Sequence, residues 1–77
     1  MNYIIEIKNK DSLELLYVSG FQKNLMKNGN YQYKFAYTSN KKHAIKRNKD
    51  NAKDIEDALT NVINLDVFDV KVRKTLI

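Results

Sequence analysis

"DNAKDIEDALTNVIN", Asp50 to Asn64, is the segment with the clearest helical period. Ala52, Ile55, Leu59, Val62 and Ile63 recur at spacings of three and four, which gathers them on one stripe. Asn51 reads as the N-cap, with Asp54 three residues on, where a capping box carries Glu or Gln. Asp54, Glu56 and Asp57 fall in the first turns and suit the positive end of the helix dipole. Asn64 marks the stop. A helix with one apolar stripe must bury it against another layer, so the flanking segments decide the fold.

Those segments read as strands. In "DVFDVKVRK", Asp66 to Lys74, Phe68, Val70 and Val72 face inward and Asp69, Lys71 and Arg73 outward. In "NYIIEIKN", Asn2 to Asn9, Tyr3, Ile5 and Ile7 share one face and Ile4, Glu6 and Lys8 the other. "NKDS" is a turn, and "LELLYVSGF" then carries a second strand from Leu13 to Val18. Asn28-Gly29 predicts a two-residue type I′ hairpin. That turn sets Met26 opposite Tyr31, Asn24 opposite Tyr33 and Lys23 opposite Lys34. The last pair is unfavourable, so the arm Phe21 to Lys27 is left open between a short edge strand and a loop. Tyr31 to Thr38 is a strand, and "KHAIKRN" holds a turn of helix and a short extended piece. The expected fold is α+β. It is a small two-layer single domain over residues 1–77, with a mostly antiparallel sheet of three to five strands against one main helix, about 51–64.

With 77 residues the chain has room for one sheet, one helix and a small core. It has no cysteine, which removes disulfides, thiolate metal sites and a cysteine nucleophile. The opening "MNYIIEIKNKD" is charged by Glu6 and Lys8 and does not read as a secretory leader. No apolar run approaches the roughly 18 residues of a membrane helix. The expectation is a cytoplasmic protein that does not engage membranes. The net charge of +5 is unevenly spread: +7 over residues 1–49, −5 over 50–69 and +3 over 70–77. A basic surface attracts phosphate, and an acidic strip repels it and suits a protein partner.

Four groups are candidates for chemistry. Tyr31, Tyr33, Phe35 and Tyr37 alternate along one strand face, an arrangement that can stack unpaired bases. A domain this small also needs its large rings in the core, and the core strand is the favoured reading. Lys41, Lys42, His43, Lys46, Arg47 and Lys49 are dense enough for phosphate, although only one is arginine, the residue suited to bidentate contacts. The favoured reading is an exposed, solvated connection, with a backbone-phosphate contact next. His43 stands among lysines and reads as a surface residue. Asp50, Asp54, Asp57, Asp66 and Asp69 lack the spacing of a calcium loop, and suit a helix start or a protein-facing surface. No catalytic grouping, metal site or cofactor motif emerges, and an enzyme is not expected.

"YIIEIK", "YVSGF", "FAYTSNKKHAIKRNKDNAKDIEDAL" and "VFDVKVRK" together resemble small proteins of unassigned role encoded by phages and prophages of Gram-positive bacteria. The matched positions, Ala44, Ile45, Ala52, Ala58 and Leu59, are packing positions. The resemblance implies a phage context, a host bacterial cytoplasm and an accessory role, and it brings no functional residue. Two functions follow as expectations. The first is a non-enzymatic accessory protein that binds and modulates or inhibits a host protein, for example a defence or replication factor. The second is a nucleic-acid-binding module using segment 41–49. The expected contact residues are Tyr33, Tyr37, Lys41, Lys42, Lys46 and Arg47. A homodimer through the Phe21–Lys27 arm is a further expectation.

Overall fold

A computed structural model describes residues 2–76. The elements are β1 (Asn2–Asn9), β2 (Leu15–Leu25), β3 (Tyr31–Thr38), a 3-10 turn (Lys41–His43), α1 (Lys49–Thr60) and β4 (Phe68–Thr75). The four strands form one antiparallel sheet in the order β3-β2-β1-β4, and α1 packs across one face. This is the small α+β fold expected. Its core joins Ile5, Ile7 and Val18 of the sheet to Ile55 and Leu59 of the helix. Phe68, Val70 and Val72 of β4 pack against that core.

The helix is displaced from its expected bounds. It starts at Lys49, and its cap is Asn48, whose Oδ1 accepts the Asn51 N–H at 2.8 Å. Asn51 is therefore a capped residue and not the cap. The helix ends at Thr60, and Asn61 closes it by donating to the Ala58 and Leu59 carbonyls. The Thr60 hydroxyl and the Asn61 amide both donate to the Asp57 carbonyl, at 2.8 and 3.0 Å. These bonds satisfy a last-turn acceptor without another helical residue. Val62 consequently leaves the stripe and is exposed, while Ile63 reaches the core from the turn that follows.

β1 is buried on both faces. Its alternation is as expected, but Ile4 and Glu6 on the second face are also covered. Ile4 is covered by segment 44–47, and Glu6 lies beside Leu13, Leu15 and Arg73. β1 pairs with β4 along its whole length but with β2 only from Glu6 to Lys8. Beyond Val18 the register of β2 shifts before Gly20, and the strand continues with β3 alone. Segment 44–47 fills the opening. The Ile45 N–H donates to the Val18 carbonyl at 2.9 Å, and Tyr3 and Arg47 exchange two backbone bonds at 2.7 and 3.0 Å. Ala44 packs with Ile4 and Tyr17, while Ile45 packs against the main core. The stretch expected to be an exposed basic connection is thus an interior wedge at Ala44 and Ile45, with its cations at the margins.

The turn at Asn28-Gly29 also differs. The Gly29 N–H donates to the Met26 carbonyl at 3.0 Å, and the Met26 N–H to the Asn30 carbonyl at 2.7 Å. The loop therefore has three residues, 27–29, and Gly29 takes a φ of +86°. That is a turn closed by a left-handed residue. The extra loop residue moves the register by one, so Leu25 faces Tyr31, Lys23 faces Tyr33 and Gln22 faces Lys34. The Lys23–Lys34 conflict disappears, and Phe21–Leu25 is strand. No other atom stands within 4 Å of a Cβ built on Gly29, so Gly29→Ala meets backbone strain alone. It is expected to cost about 1 kcal/mol in a urea titration. An unchanged midpoint would mean that the turn relaxes out of the left-handed region.

Candidate functional site, a cleft beside a projecting hairpin

Past Val18 the β2–β3 hairpin leaves β1 behind and projects as a two-stranded arm. The register sets Phe21 opposite Phe35, Lys23 opposite Tyr33 and Leu25 opposite Tyr31, so these six side chains share one face. Phe21 stacks on Tyr33 with centroids 5.8 Å apart and tilts against Phe35 at 5.2 Å. The Lys23 ammonium lies 4.1 Å over the Tyr31 ring, a cation–π contact. The rings form a shelf whose outer end is open: Tyr31 is 51% exposed and Leu25 66%.

The shelf is one wall of a cleft of about 410 Å³. Phe21, Lys23 and Tyr33 line one side, Asn51, Asp54 and Asp57 of α1 and its C-cap Asn61 the other, with Ile55 and Ala58 between them. The helix supplies this polar wall because its apolar stripe turns toward β1 and β4. One wall thus offers aromatic area and the other carboxylates and amides. Such a cleft suits a protein segment with apolar and cationic side chains, and its carboxylates oppose a phosphate backbone.

The expected contact residues do not converge on one patch. Tyr33 lies in this cleft. Tyr37 lines a separate apolar depression of about 170 Å³ with Ile7, Leu16, Ile63 and Phe68. Partial burial there raises the Tyr37 phenol above its ordinary value. The strand expected to be core is an edge strand: Tyr33 and Phe35 are half-buried, and Tyr31 and Tyr37 are exposed. Lys41 and Lys42 sit on the 3-10 turn, which Asn40 caps by accepting the Lys42 N–H at 3.0 Å. Lys46 is half-buried on the wedge, and the Arg47 guanidinium donates to the Lys46 carbonyl at 3.1 Å. Phe21, Asp54 and Asp57 were not among the expected contacts, although the shelf rests on Phe21. The signal for Phe21 is the hairpin register, which a two-residue turn sets one residue off, whereas Asp54 and Asp57 belong to the acidic set expected to suit a protein-facing surface.

The opposite sheet face has its own depression, about 310 Å³, lined by Glu6, Lys8, Leu13, Leu15, Asp69, Lys71 and Arg73. Its charges are of both signs. Arg73 Nε donates to Glu6 Oε1 at 2.9 Å, and Lys8 stands opposite Asp69 in the ladder. Among the described residues no group of three or more His, Asp or Glu is placed to hold a metal ion, and no helix is long and apolar enough to cross a membrane. No family model, curated protein or solved structure matches the chain.

Proposed function

We propose that the chain is a non-enzymatic interaction protein that binds and modulates a host protein through the cleft between the β2–β3 arm and α1. The observation that carries this reading is the arm itself. It holds Tyr31 and Leu25 exposed at its tip, while Phe21 and Tyr33 further in face a carboxylate-bearing helix wall. Exposed aromatic anchors next to a charged rim are what protein contact surfaces use. The phage context rests on the sequence resemblance. The nucleic-acid reading keeps segment 41–49, but Tyr33 faces Asp54 and Asp57 instead of those lysines, and Tyr37 lies in the separate apolar depression.

Capture by the tagged protein from a Gram-positive host lysate, with and without nuclease, separates the two. A host protein is expected to remain bound after nuclease. Asp54→Lys with Asp57→Lys is expected to release it, and Lys42→Ala, Lys46→Ala and Arg47→Ala together to leave it bound. Recovery that disappears with nuclease, falls steeply with salt and is lost in the triple alanine variant would overturn this reading in favour of nucleic acid.

A further inference from the structure

We infer that two copies of the chain join through the outer edge of β3, antiparallel, with Phe35 opposite Phe35 of the second copy, to make one eight-stranded sheet. β3 is the outermost strand on its side, eight residues long without proline, and among the described residues no strand pairs with its outer edge. The hydrogen-bonded pair at the hairpin end is Met26–Asn30. Alternation from that pair turns the backbone groups of Tyr31, Tyr33, Phe35 and Tyr37 outward. Four successive outward-facing residues are a template for another strand.

The two sheet edges are guarded unequally. β4 carries Asp69, Lys71, Arg73 and Lys74, whereas β3 carries one charge, Lys34. The shift of register in β2 bends that strand and leaves β3 regular. The arm's other edge, Phe21–Leu25, is shorter and lies beyond the 44–47 wedge. The earlier expectation of self-pairing through Phe21–Lys27 therefore moves to β3.

Symmetry and charge select the register. A two-fold axis through the sheet keeps each face with its like, so residues opposite each other must share a face. Centring on Lys34 would set two lysines opposite each other, which is repulsive. Centring on Phe35 sets Tyr33 opposite Tyr37, Lys34 opposite Ala36 and Gln32 opposite Thr38 of the second copy. It sets no like charges directly opposite each other and joins the aromatic shelves across the axis. Centring on Tyr33 shortens the paired length and runs into the turn.

Ala36 is exposed and reports on this register alone. Its inner neighbour Gly20 has no side chain, which leaves room for a longer one there. Ala36→Lys places a lysine against Lys34 twice per dimer, and Ala36→Glu places a carboxylate there. Sedimentation equilibrium from low micromolar to near-millimolar concentration is expected to show a dimer. The lysine variant is expected to weaken it roughly 2- to 30-fold and the glutamate variant to tighten it by a similar factor. A folding defect would move both variants the same way, so opposite responses identify the pairing. A monomer at every concentration would overturn the dimer, and a dimer indifferent to both changes would overturn this edge and register. The host-protein reading is tested separately by the helix-wall variants and stands or falls on its own.

Discussion

Leu59→Ala is expected to remove a large part of the stability of the fold. Leu59 is fully buried and meets Ile5, Ile7, Val18 and Ile55, so its side chain bridges helix and sheet. Truncating such a leucine costs roughly 2–5 kcal/mol, part lost transfer free energy and part cavity. A chain of this size has only about 4–12 kcal/mol in total. The urea midpoint should fall by about 2 M or more, given a slope near 1 kcal/mol/M. Val62→Ala is the control. It belongs to the same apparent stripe in sequence but is exposed, and its shift should stay within about 0.5 kcal/mol. Equal losses at both positions would show that the helix continues past Thr60.

Arg73→Met is expected to be the second large effect. Glu6 has a side chain 10% exposed, and Arg73, half exposed, is its ion-pair partner at 2.9 Å. Removing the arginine leaves the carboxylate under the sheet face without that partner. Complete burial of an orphaned charge costs roughly 3–5 kcal/mol. The exposed flank of Arg73 lets solvent replace part of the lost bond, so a loss of about 1–3 kcal/mol is expected. Combining it with Glu6→Leu should recover most of the loss, because two apolar groups leave nothing unpaired. Chemical denaturation of the two single variants and the double variant completes the cycle. A double variant no better than Arg73→Met would mean that Glu6 is stabilised by the ladder around it and not by Arg73.

Much of the fold was legible because each element had a local signature. Alternation marked Tyr3, Ile5 and Ile7, and again Phe68, Val70 and Val72; spacing marked Ala52, Ile55 and Leu59. The misreadings arose where two local signals were nearly equal. Asn48 and Asn51 are both good caps, and only the end of the wedge at Arg47 decides between them. Asn28-Gly29 fits a two-residue or a three-residue loop, and one residue of difference reassigns every cross-strand pair of the arm. The candidate site suffered most, because its walls come from β2, β3 and α1, and a register error in the hairpin hides the shelf.

By itself the sequence determined the fold class, the main helix, the strands other than the Phe21–Leu25 arm, and the absence of cysteine chemistry. These follow from side-chain period and composition, which act within a few residues. The tertiary structure alone decided that β2 parts from β1, that Ala44 and Ile45 fill the gap, and that β3 ends as an open edge. Those outcomes depend on which apolar surfaces close on one another across the chain, and no short stretch of residues carries that information.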